Sequence, residues 1–193
     1  MLTLDPHTAL LLIDVQQGFD DPVWGIRNNP EAEAQIAALL TAWRRQGWPI
    51  YHVQHVSQSP DSPLRPGQDG VKFKALAEPR PGEPVVQKHV NSAFIGTDLE
   101  AQLRAAGVSS LVITGLTTDH CVSTTTRMAG NLGFRVWLPA DATATFDRTG
   151  PDGRQYKAQE IHDVHLTSLN GEFATVTETK LVLAAVAAVS QEE

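Results

Sequence analysis

The sequence predicts an α/β domain built on a mostly parallel, doubly wound sheet. Short apolar, often β-branched segments recur along the 193 residues, and helical patterns fill the intervals between them. The first segment, TALLLID, is apolar almost without interruption, as expected for a central strand covered by helices on both faces. The intervening helical patterns also have readable starts and stops.

In chain order, strands are expected over residues 9–15, 49–56, 84–87, 111–114 and 134–138, with 173–176 as a sixth. The helix expected over 31–46 carries Ile36, Leu39, Leu40 and Trp43 at helical spacing; Asn29-Pro30 leads into it and Gly47 closes it. Thr97-Asp98-Leu99-Glu100 has the spacing of a capping box, in which a threonine oxygen and a glutamate each satisfy an orphan backbone N–H. Gly107 ends that helix. Further helices are expected from about 121 to 132, from 156 to 169 with Asn170-Gly171 as the stop, and from 178 to 190. Residues 58–70 (QSPDSPLRPGQDG) and 79–84 are rich in Pro, Gly, Ser and Asp and predict excursions over the surface between strands. Long ordered loops of this kind tend to build binding sites or lids. With no internal repeat or low-complexity tract, residues 1–193 are expected to form one domain.

Composition narrows the function classes. A chain that is 41% hydrophobic and 19% charged has ordinary globular composition. The formal charge of −7 is spread along the sequence, which favours solubility and leaves no basic footprint for nucleic acid. The longest apolar run, residues 9–13, falls far short of the roughly 20 residues of a membrane span. The single cysteine cannot form an internal disulfide, and MLTLDPHTALLLIDVQ has no basic segment followed by a small-residue cleavage site. The cytoplasm is the expected compartment. The glycines around 67–70 and 130–133 lack both the GxGxxG spacing and a Walker lysine, so no cofactor is expected.

In open α/β sheets ligands collect outside the carboxyl ends of the strands. Three chemically useful residues stand there: Asp14 in LLLIDVQQGF, Lys88 in PVVQKHVNSAF and Cys121 in LVITGLTTDHC. Singly, each has a plain structural reading, as a turn cap, a solvated charge and a small buried hydrophobe. Together they supply a nucleophile, a cation and an acid/base. Gly115 is expected to turn the chain out of its strand, and a helix starting near Cys121 would favour the thiolate. Iodoacetamide labelling should then titrate well below the free-thiol pKa of about 8.5. Phe19, Trp24, Phe94 and Phe146 are candidates for apolar pocket walls, and Gln16 and His120 for hydrogen bonds to a substrate.

DVQxxF at 14–19, KxxxSAF at 88–94 and GxxTxxCV at 115–122, each after its own expected strand, resemble the isochorismatase-like cysteine hydrolase superfamily. The similarity runs over most of the chain. It implies a three-layer α/β/α sandwich of Rossmann-like order and a catalytic triad of Asp14, Lys88 and Cys121. It also implies a cis peptide at Leu116-Thr117 and an oxyanion hole from the backbone N–H groups of Thr117 and Cys121. Family members commonly oligomerise, so a homo-oligomer is expected.

Metal chemistry fits the sequence less well. His52 and His55 lie in an expected strand and would point to opposite faces, while His162 and His165 share a helix without a completing ligand set. The family's metal-binding nicotinamidases carry Asp-x-His after the second strand, where this chain has YHVQHVSQSP. No metal is expected, and this departure counts against nicotinamidase activity. It points instead to a small amide, ureido or related C–N substrate. The rival readings are vinyl-ether cleavage, whose family members lack the nucleophilic cysteine, and a non-catalytic thiol sensor, which would lack a resolving cysteine within this chain.

Overall fold

The computed structural model describes residues 2–189, and a seven-stranded sheet runs through them. Its strands are β1 (Thr8–Ile13), β2 (Ile50–His55), β3 (Val85–Lys88), β4 (Ser110–Leu116), β5 (Arg135–Pro139), the short β6 (Thr143–Ala144) and, after a separate ribbon, β9 (Thr175–Thr177). The ribbon pairs β7 (Arg148–Thr149) with β8 (Gln155–Tyr156) antiparallel. The main order is β3-β2-β1-β4-β5-β9, with β6 beside β4, and every pairing within it is parallel. The expected six-stranded sheet thus gains β6, which at two residues is too short to carry a periodic signal.

Five helices, α1 (Ala32–Gln46), α2 (Leu99–Ala105), α3 (Ser123–Asn131), α4 (Ala158–Leu169) and α5 (Thr179–Val189), cover the two faces. Alternation along β1 decides which residue meets which layer. Leu11 and Ile13 join Leu99 and Leu103 of α2, Ala129 of α3 and Leu166 of α4 in one core. Leu10 and Leu12 join Ile36, Leu39 and Trp43 of α1 and Val182 of α5 in the other. Both β1 and β4 are buried along their whole length, as expected for central strands. Trp43 fastens α1 to the sheet as its indole N–H donates to the Thr8 carbonyl at 3.0 Å. Gly47 closes α1 in the left-handed conformation, with φ at 67°. The end of α5 expected at Ser190 lies outside the described residues.

Two local expectations fail for identifiable reasons. The capping box at Thr97 does not form: its oxygen accepts from the Leu99 N–H at 3.4 Å rather than from that of Glu100, and the Glu100 carboxylate lies beside Arg104 one helical turn on. Gly115 does not turn out of β4. It stays in the strand, paired with Ile13 on one side and Thr143 on the other. Its φ is 118°, and a Cβ there would sit 2.0 Å from the Ile13 carbonyl oxygen, so the glycine serves close backbone approach. The segments at 58–68 and 79–84 are irregular, as their composition predicts. Among the described residues, no helix is long and apolar enough to cross a membrane.

Candidate active site

The parallel register brings the ends of β1, β2, β3 and β4 to one rim. Ile13 pairs with Val53 and with Gly115, and His55 pairs with Lys88. Asp14 follows β1 with a positive φ of 52°, a conformation that aspartate tolerates better than most residues, and its N–H donates to the Val53 carbonyl. Lys88 is the last residue of β3 rather than the first beyond it, so its Cα belongs to the sheet while its side chain is fully buried. Cys121 lies in a π-type turn, Thr118–Val122, that runs into α3. The Leu116-Thr117 peptide before that turn is cis.

The three side chains converge on the Lys88 ammonium. Its Nζ donates to Asp14 Oδ2 at 2.7 Å and to Cys121 Sγ at 3.2 Å, and lies 2.9 Å from His55 Nδ1 and 3.2 Å from the Val90 carbonyl. Asp14, His55 and Cys121 each place a ligand-type atom within 4.8 Å of the others, a spacing that would suit a metal. The lysine supplies a positive charge among those same donors, which disfavours a second cation there. Asp14 Oδ1 is sealed from solvent and has no hydrogen-bond partner among the described residues.

Electrostatics follow from burial. Removal from water raises the Asp14 carboxyl above its ordinary range, against the opposing pull of Lys88. Burial, then the Asp14 charge, pushes the Cys121 thiol well above the usual thiol range. The expectation of a low thiol pKa in the resting protein is therefore corrected. Desolvation and the Asp14 charge outweigh Lys88, and Cys121 rests as a thiol that needs an internal base. Burial and, next, the Lys88 charge hold His55 down to about 4, so its ring is neutral at ordinary pH.

A cavity of about 220 Å³ opens onto the sulfur. Cys121, Thr117, His55 and Asn91 line it together with His120, and Phe19, Trp24 and Leu64 give it an apolar side. Ser57, Ser59 and Ser62 contribute hydroxyls from the 58–70 excursion and the residue just before it. Phe146 backs this wall, its ring stacking on both Phe19 and Trp24. A larger groove of about 500 Å³ beside Arg44, Arg80 and Glu83 is lined by no cysteine, serine or threonine.

Of the residues singled out in the sequence, Asp14, Lys88, Cys121, Thr117, Phe19, Trp24 and His120 meet at or beside this cavity. Gln16 and Phe94 do not line it. The Gln16 amide is fully buried and bound to the backbone of His55 and Val71, where it ties β1 to the neighbouring loop. Phe94 packs into the core and stacks on Phe134 at 6.2 Å. His52 faces away from the rim and contacts Glu83 at 2.8 Å. His162 has one ring nitrogen 2.9 Å from the Thr118 hydroxyl and the other 3.4 Å from the Asn29 amide, so both are occupied structurally. His55 and Asn91 escaped notice as pocket residues. His55 ends β2 on the same rim, so the strand-end rule would have found it; Asn91 and the serines depend on loop paths that carry no periodic signal.

Residues 8–180 match the isochorismatase domain. The chain belongs to the isochorismatase family. It is 46% identical over 176 residues to the Bacillus subtilis (strain 168) isochorismatase family protein YrdC, which covers 91% of this chain and 94% of that one. A Streptomyces noursei streptothricin hydrolase is 39% identical over 142 residues, or 72% of this chain and 50% of its own length. A crystal structure of an isochorismatase-family protein from Chromobacterium violaceum ATCC 12472 superposes with a TM-score of 0.93 at 50% identity, covering 97% of each chain. The isochorismatase-family protein described here is accordingly a hydrolase with an α/β sandwich fold.

Proposed function

We propose that this hydrolase cleaves a small amide, ureido or related C–N bond through a thioester on Cys121. The observation that carries the reading is the Lys88 ammonium, hydrogen-bonded at once to Asp14 and to Cys121 Sγ beneath an open cavity. That geometry joins a nucleophile to a base through a fixed cation.

Asp14 takes the thiol proton, and Lys88 stabilises the resulting thiolate. The sulfur attacks the substrate carbonyl carbon, and the carbonyl π electrons move to oxygen. Backbone N–H groups of Thr117 and Cys121 receive that oxyanion. Collapse breaks the C–N bond while Asp14 returns its proton to the leaving nitrogen, giving the amine and an acyl thioester. Asp14 then deprotonates a water that attacks the thioester carbonyl; the C–S bond breaks, the acid leaves, and the thiol regains its proton. Hydrolysis is also supported by the streptothricin hydrolase likeness, whose name records hydrolysis by that protein. Ammonia release from a panel of primary amides and N-carbamoyl compounds tests it. Turnover by the natural protein that disappears in Cys121→Ala supports the reading; turnover that survives the substitution overturns it.

A further inference from the structure

The mechanism above leaves His55 without a part, although its ring forms a wall of the cavity beside the sulfur. Its Nδ1 lies 2.9 Å from Lys88 Nζ and 4.0 Å from Cys121 Sγ. An ammonium has no lone pair, so Nδ1 accepts from Lys88, and in a neutral imidazole the single proton then resides on Nε2. Lys88 thereby fixes the tautomer. Burial and the adjacent charge, which bring His55 down to about 4, keep the ring in that neutral form. Among the described residues no acceptor meets Nε2, which is also not a sealed, unsatisfied atom; the side chain keeps 15% of its surface exposed.

We propose that His55 is a substrate-binding residue whose Nε2–H donates to an acceptor atom of the substrate close to the carbon attacked by Cys121. His55 and Cys121 line the same cavity, with Nδ1 4.0 Å from the sulfur and Nε2 one ring atom beyond it, which places this donor beside a substrate held at Cys121. The site therefore favours carbonyl compounds with a further lone-pair atom near the scissile bond, such as an α-keto oxygen or a ring nitrogen. It disfavours plain aliphatic amides, which leave this donor unpaired on binding. The inference rests on Cys121 being the nucleophile.

Two small alkylating reagents separate these ideas without a known substrate. Iodoacetamide carries an amide oxygen beside the carbon that sulfur attacks; allyl bromide carries no such acceptor. In both, a C–S bond forms as the halide leaves. Rates of Cys121 modification are read by intact mass in the natural protein, His55→Gln and His55→Phe, each checked for folding by circular dichroism. The glutamine can accept from Lys88 and donate to the reagent. The expected result is an iodoacetamide rate about tenfold lower in His55→Phe, the scale of one lost hydrogen bond. It should remain within about threefold of the natural protein in His55→Gln, with allyl bromide rates little changed in either. If His55→Phe does not fold, His55→Ala is read by the same criterion. Iodoacetamide and allyl bromide slowing together, or neither slowing, overturns the role of His55 alone. No modification of Cys121 by either reagent in the folded natural protein overturns the nucleophile and this inference together.

Discussion

At Asp14, Lys88 and Cys121 the decisive quantity is net charge in a sealed space. With one proton shared between carboxyl and thiol, the three groups sum to zero beside the lysine cation. Adding or removing a proton leaves one uncompensated buried charge, which is costly in a low dielectric. Moving the proton from sulfur to Asp14 changes no net charge, so the nucleophilic form is reached without exchange with solvent. Labelling of Cys121 by neutral iodoacetamide should therefore be nearly flat between about pH 6 and 8. An ordinary thiol would show a rate that climbs about tenfold per pH unit below about 8.5. A rate following that climb would show that the thiol titrates alone. His55 adds no limb in this window, because its folded pKa of about 4 leaves it neutral throughout. The sequence announced these three residue types at strand ends, but could not say which effect governs the sulfur. Helix position and a nearby lysine pointed downward; burial beside a carboxylate, visible only in three dimensions, points upward.

The elements explain how such a site is held. Central β1 and β4 approach so closely that Gly115 is the only residue that fits at its position, with the Ile13 carbonyl where any side chain would begin. Gly115→Ala should destabilise the protein by about 3 kcal/mol or more, since both overpacking and a positive φ oppose it. Equilibrium urea unfolding measures this directly, and a midpoint equal to that of the natural protein would contradict the close-approach role. Strands were legible because apolar runs and their Gly and Pro boundaries survive in one dimension. The capping box was legible as a pattern only. The Thr97 oxygen accepts from the Leu99 N–H instead of that of Glu100, and local spacing carries no record of that shift.

Across the whole molecule, the proposed catalytic groups come from the residue after β1, from β3 and from the turn after β4, while the cavity walls come largely from irregular segments. That division explains what the sequence disclosed: the sheet, the convergence of Asp14, Lys88 and Cys121 and the aromatic side at Phe19 and Trp24 were readable, whereas Ser57, Ser59, Ser62 and Asn91 were placed by loop paths. Glu33 helps to hold one of those segments. It binds Arg27 through both oxygens and Lys74 through one, and Lys74 also reaches Asp20, next to Phe19. Burial alone would raise Glu33, but the hydrogen bonds from Arg27 and Lys74 outweigh it and bring the carboxyl to about 2. A depressed carboxyl stabilises the fold above its unfolded value near 4.5, and that contribution fades as pH falls towards 2. Glu33→Gln should lower stability at pH 7 by about 2 kcal/mol, seen as a Tm loss of roughly 5 °C. The difference from the natural protein should shrink steadily below about pH 4. An equal Tm difference at pH 7 and pH 3 would contradict the ion-pair account. The most direct test of the account's centre is acid-quenched mass spectrometry during turnover of an amide substrate. It should find the acyl group on the peptide containing Cys121, and none in Cys121→Ala; hydrolysis by Cys121→Ala at the natural rate, with no acyl adduct on the natural protein, would contradict it.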